Sequence, residues 1–113
     1  DEIAEVLDKT GLSKQQKDEI LKIESELSII ARQGRAFGIH LVLATQRPDA
    51  GILNGQIRNN IDTRICGRAD NVLSQIILDS TDAADLIAKS SQGRFLTNSG
   101  KIFQAYWFDE NIL

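Results

Sequence analysis

Residues 35–48 read Arg35-Ala-Phe-Gly-Ile-His-Leu-Val-Leu-Ala-Thr-Gln-Arg-Pro48, and the architecture hangs on their interpretation. From Ile39 to Thr45 the run is apolar almost without a break, of strand length, and bounded by Gly38 and Pro48. It does not alternate between apolar and polar residues. A strand covered on both faces looks like this, as in a parallel sheet between helices. His40, inside such a strand, is expected to be a packed core histidine.

Outward from this run the periodicity changes. Upstream, Ser13 is a plausible N-cap for a long helix on which Ile20, Ile23, Leu27 and Ile30 form one apolar stripe. Lys14, Lys17 and Glu24 fall off that stripe and are expected to face water. Gly34 weakens the helix end and Gly38 stops it. Downstream, residues 52–60 suit a short helix and Thr63–Gly67 a second buried strand, with Cys66 as a small core residue. Asp70 is placed to cap a helix through Leu78, with Val72, Leu73, Ile76 and Ile77 inward. Thr81 is placed to cap a shorter helix to Ala88, with Ala84 and Ile87 inward. Gly93–Thr97 and Ile102–Phe108 read as a hairpin turning at Asn98-Ser-Gly100, with Tyr106 and Trp107 alternating between core and surface. The order of elements predicts an α/β fold with a parallel sheet flanked by helices and a C-terminal β-hairpin. With only two strands before the hairpin, that sheet is incomplete, and exposed edges predict self-association or pairing with a missing half.

Composition sets bounds. At 113 residues the chain forms one domain at most, and 42% hydrophobic with 26% charged residues is a globular balance. One cysteine and one histidine exclude an internal disulfide and a Cys/His zinc site. No stretch approaches the ~20 apolar residues of a bilayer span, and no leader opens the chain, so a cytoplasmic location is expected. The net charge of −3 is unevenly spread: six arginines and two aspartates occupy residues 32–68, while acids prevail on either side. Arginine suits phosphate or carboxylate recognition. The alternative is that these arginines satisfy acidic neighbours within the fold.

The run RAFGIHLVLATQRP, followed by Gly55-Gln-Ile-Arg-Asn-Asn-Ile-Asp-Thr-Arg-Ile65 and Ser74-Gln-Ile-Ile-Leu-Asp79, resembles the RecA-like motor domain of the FtsK/SpoIIIE family, over nearly the whole chain. Family members drive double-stranded DNA or, in one branch, secrete proteins. The resemblance implies that Asp1 helps hold Mg²⁺ and that Glu2 polarises the water attacking the γ-phosphate of ATP, Ile3–Leu7 being the start of the helix that follows. It implies that Thr45 and Gln46 end the next strand as polar sensors of the γ-phosphate. Arg64 matches an arginine that reaches a neighbouring subunit's γ-phosphate, and Arg58 is a weaker candidate for that interface. Pro48 fixes the loop exit. Lys89 and Arg94 lie near where the family's pore loop approaches the DNA backbone.

The phosphate-cradling G-x-x-x-x-G-K-[ST] loop is not in this sequence; Gly100-Lys101-Ile102 is not one. Residues 1–113 thus resemble the C-terminal portion of an ATPase domain from its catalytic acids onward, and this chain alone is expected neither to bind nor to hydrolyse ATP. In the complete domain the resemblance implies ATP and Mg²⁺, a duplex DNA substrate, the N-terminal half of the domain, and a homo-oligomer, most simply a hexamer. An upstream membrane anchor is common in the family. A longer 8–18 loop than in chromosome-partitioning members is more like coupling proteins of conjugative elements. Arg47 within Gln-Arg-Pro leans towards the DNA movers, with a type VII-like protein-secretion ATPase, or an inactive half-domain as isolated, as the alternatives.

Overall fold

A computed structural model describes residues 2–46 and 55–112, the side chain of Ile112 excepted. Asp1, residues 47–54 and Leu113 lie outside the described residues, and with them Arg47, Pro48 and the first part of the predicted 52–60 helix. The chain divides into two compact units, residues 1–62 and residues 63–113.

In the first unit α1 spans Ile3–Leu7 and α2 spans Lys14–Gln33. Ser13 opens α2 as expected, in a reciprocal cap: its hydroxyl accepts from Gln16 N, and the Gln16 side chain accepts from Ser13 N. Such a cap is worth about 1 kcal/mol because it satisfies two otherwise orphaned donors. A 3₁₀ turn, Gly34–Phe37, follows and ends at Gly38, whose φ of 71° is a left-handed stop that glycine adopts without strain. Gly34 is set in close quarters instead. A Cβ there would stand 3.1 Å from the Ile39 carbonyl oxygen, where the chain doubles back.

The buried face of α2 is not the predicted stripe. Ile20 and Leu27 turn inward, but Ile23 and Ile30 are exposed, while Glu24 and Ser28 are buried. The reason is Lys9, which forms an ion pair with Glu24. A carboxylate with its own cation can be buried where a lone one cannot. Ser28 donates its hydroxyl to Glu24 O at 2.9 Å, which satisfies it inside the interface. Leu7 and the Ile57 of α3 (Gly55–Asn60) form the centre of this unit's core, packed by Ile3, Ile20, Leu27, Leu43 and Ile61.

Residues 39–45 correct the central expectation. They lie in no strand among the described residues, and only one of their faces is covered. Leu41, Leu43 and Thr45 are half-buried, whereas Ile39, His40, Val42 and Ala44 are exposed. Val42 is 85% exposed and His40 is no core histidine here. A strand exists by virtue of a neighbour that completes its ladder, and no described segment runs along this one. It is tied instead by Ile39 N to Gly34 O at 2.9 Å and by Ile3 N to Ala44 O at 3.0 Å.

The second unit carries the sheet, and it is antiparallel. β1 (Ile65–Cys66), β2 (Arg94–Thr97) and β3 (Ile102–Gln104) lie in that order, with Cys66 opposite Leu96 and Phe95 opposite Phe103. The predicted second parallel strand is therefore β1 of a small meander with the hairpin. The hairpin turns at Asn98-Ser-Gly100 as read from sequence, Gly100 supplying a φ of 88°. α4 (Asn71–Leu78) begins at Asp70, whose carboxylate accepts from Leu73 N at 2.8 Å.

α5 is Asp82–Leu86, shorter than predicted, and Thr81 bonds to Asp85 rather than capping with its side chain. Ala83 and Ile87 are its buried residues. Cys66, Leu78, Ala83, Ile87 and Leu96 make the core. Ser74, fully buried, links α4 to α5 by donating to Ser80 O at 2.7 Å and accepting from Ala83 N at 3.0 Å. Val72, predicted inward, is exposed, as are Tyr106, Trp107 and Phe108.

Candidate active-site residues

The connection from Glu2 into α1 is unusual. Glu2 has φ 47° and ψ 56°, the left-handed region that a side chain enters at a cost of about 1–2 kcal/mol. That conformation turns the chain sharply ahead of Ile3 and aims the Glu2 carboxylate at the end of the apolar run. Oε1 accepts from the Thr45 hydroxyl at 2.6 Å, and Oε2 accepts from the Gln46 backbone N–H at 3.3 Å. The Ile3 N to Ala44 O bond fixes the two segments beside one another.

Three predicted site residues, separated by more than forty positions, thus meet at one point. The half-buried carboxylate is oriented through both oxygens. Each oxygen has a second lone pair, so a carboxylate held this way can still accept from a water molecule. Asp1, the expected Mg²⁺ ligand, lies outside the described residues. Among the described residues no cluster of three acidic, histidine or cysteine side chains could hold a metal alone. Mg²⁺ is ordinarily bound through one or two carboxylates completed by substrate phosphates and water, a mode that needs no such cluster.

Arg64 belongs to the second unit. Its side chain is 21% exposed, and Nη1 pairs with Asp79 Oδ2 at 3.1 Å. Asp62 pairs with Arg35. The Arg64 backbone is clamped by Asn98, which offers Oδ1 to Arg64 N at 3.0 Å and donates its own N–H to Arg64 O at 2.9 Å. The Arg64 Nε is buried and makes no hydrogen bond.

Asp79, in the Ser74–Asp79 motif, has no site role in the sequence reading. It closes α4 in the left-handed region, φ 57°. An aspartate where a helix would ordinarily end in glycine was the available signal. Arg58 is half-buried on α3, and Lys89 and Arg94 are exposed, as bases that contact phosphate must be. Arg68 donates to the Lys89 carbonyl. Part of the arginine-rich middle block is therefore satisfied within the fold. An open depression of about 350 Å³ beside α4, lined by Asn71, Val72, Gln75, Ile76 and Thr81, carries no charged group to hold a triphosphate.

The solved structure of the pCW3 conjugation coupling protein TcpA, in a monomer form with ATPγS, superposes with a TM-score of 0.87 at 43% identity, covering 99% of this chain and 32% of that one. The DNA translocase FtsK of Haemophilus influenzae is 33% identical over 96 residues, 81% of this chain and 18% of that protein. The DNA translocase SftA of Bacillus subtilis is 39% identical over 80 residues, 70% of this chain and 8% of that protein. No protein-family model matches. The chain spans about a third or less of the length of these proteins. The chain belongs to the FtsK/SpoIIIE family as a segment of its motor.

Proposed function

We propose that the chain is the C-terminal portion of an ATP-driven motor that moves double-stranded DNA, with DNA transfer between cells as its setting. The observation that carries this is the Glu2 carboxylate held by Thr45 and Gln46 at the tip of the apolar run, within a chain 43% identical to a conjugation coupling protein over almost its whole length. The phosphate-cradling loop and the strands flanking residues 39–45 would come from the part of the protein that this chain does not span.

In that setting Glu2 accepts a hydrogen bond from the attacking water and orients it towards the γ-phosphate, as a base fixed within hydrogen-bond reach must. Thr45 and Gln46 hold the carboxylate at that angle, and the Gln46 side chain is free to follow the γ-phosphate. Asp1 would hold Mg²⁺, which when bound neutralises phosphate charge. Arg64, charged at any physiological pH, would complete the site of a neighbouring subunit in a ring of copies, a hexamer being the simplest. Lys89 and Arg94 would touch the DNA backbone without reading sequence, so their contribution falls with salt.

The test is ATP hydrolysis by the intact protein with and without linear duplex DNA. DNA should stimulate turnover, and Glu2→Gln should lower kcat by about 10²–10⁴-fold with little change in KM. Turnover indifferent to DNA would instead favour a protein substrate.

A further inference from the structure

Among the described residues, two that are not glycine take a positive φ: Glu2 and Asp79. The first is the proposed base. The second ends α4 at φ 57° and ψ 24°, and its backbone N–H bonds to Gln75 O at 3.0 Å. Glycine is the residue that adopts this helix-terminating conformation without cost. An aspartate kept there against that preference needs a reason in its side chain, and the side chain has one. Its Oδ2 lies 3.1 Å from Arg64 Nη1.

Asp79 is itself 67% exposed at the side chain, whereas Arg64 is largely covered. An exposed carboxylate adds little stability through such a pair. What it supplies is direction. It holds Nη1 of the guanidinium, while Asn98 fixes the Arg64 backbone from β2's turn.

We propose that Asp79 is a positioning residue for Arg64: a carboxylate set on the left-handed end of α4 that aims the guanidinium for the γ-phosphate of a neighbouring subunit. This rests on the motor reading above. From that left-handed position the side chain meets Arg64 Nη1, so the contact offsets the strain of the backbone.

Glycine at this position separates structure from function, because it relieves the backbone while deleting the carboxylate. In the intact protein Asp79→Gly should melt no lower than wild type. It should lose about 10–100-fold in DNA-stimulated kcat, as for a misplaced catalytic group, with the KM for ATP within about twofold. Asp79→Asn, which keeps an acceptor oxygen and tolerates the same φ, should lie between the two. Arg64→Ala should remove turnover to the same floor whether or not Asp79 is present, because the two act as one unit.

A glycine variant with wild-type kcat overturns the inference, as do losses that multiply in the double variant. Turnover lost together with the melting transition overturns it in favour of a structural role. If Glu2→Gln lowers kcat as expected while Asp79→Gly keeps the wild-type kcat, this inference alone falls. If Glu2→Gln turns over normally, the motor reading falls and takes this with it.

Discussion

The two units of the chain hold themselves together differently. In residues 63–113 the backbone of each strand finds its ladder nearby: β1 pairs with β2, β2 with β3, and buried Ser74 ties α4 to α5. In residues 1–62 the most apolar stretch of the sequence is covered on one face and lies in no ladder among the described residues. Its stability comes from helices instead, through the Ser13 cap, the Leu7 and Ile57 core, and the Lys9–Glu24 pair. The lesson is that an uninterrupted apolar run reports on the surroundings a segment was selected for, and these can lie beyond the chain that carries it.

Three measurements press on that contrast. The largest effect is expected at Lys9→Ala. Glu24 would be left as a buried charge without its cation, at a cost of about 3 kcal/mol, the low end for a broken buried pair because the Lys9 side chain is 27% exposed. Urea denaturation of the chain should show the midpoint fall with an unchanged slope. An unaltered midpoint would mean that the first unit does not depend on its helix contacts.

Val42→Ser should discriminate between this chain and the intact protein. At 85% exposure the side chain contributes almost nothing here. If the remainder of the motor covers residues 39–45 on both faces, the same change should cost about 2 kcal/mol in the intact protein. Equal, small effects in both would refute the covering strands.

The smallest effect concerns the second unit's core. Burial pushes the Cys66 thiol above its ordinary pKa, since a thiolate is poorly solvated among Leu78, Ala83, Ile87 and Leu96. The folded value being the higher one, its contribution to stability is complete at neutral pH. It is lost as the pH rises through the alkaline range in which an unfolded thiol ionises first. Alkylation at mildly alkaline pH should accordingly be at least about tenfold slower in the folded chain than in urea. Equal rates would show that this core opens freely.

Local chemistry was legible wherever the partner lies within a few residues. Ser13 and Asp70 cap the helices they were expected to cap, Gly38 ends the 3₁₀ turn that extends the first, and Asn98-Ser-Gly100 turns the hairpin. The pairing of Glu2 with Thr45 and Gln46 was foreshadowed only by the family resemblance, as separate roles rather than as one hydrogen-bonded group. The α2 face was misread because apolar periodicity takes no account of a distant lysine, which makes Glu24 burial affordable. Parallel and antiparallel neighbours cannot be told apart from a strand's own residues, so Thr63–Gly67 was placed in the wrong kind of sheet.

By itself the sequence determined the Ser13 and Asp70 caps, the hairpin turn and the starts of the helices they cap, and through the motifs at residues 35–48, 55–65 and 74–79 the family to which the chain belongs. Those properties depend on side chains acting on their own backbone or on strings of residues too specific to arise otherwise. Tertiary structure alone decided which face of α2 is buried, how the sheet is ordered, that Glu2 takes a left-handed turn to meet Thr45, and that Asp79 does so beside Arg64. Each of these depends on a partner tens of residues away or on a neighbouring element. A strained φ or a buried carboxylate is stable only once that partner is in place.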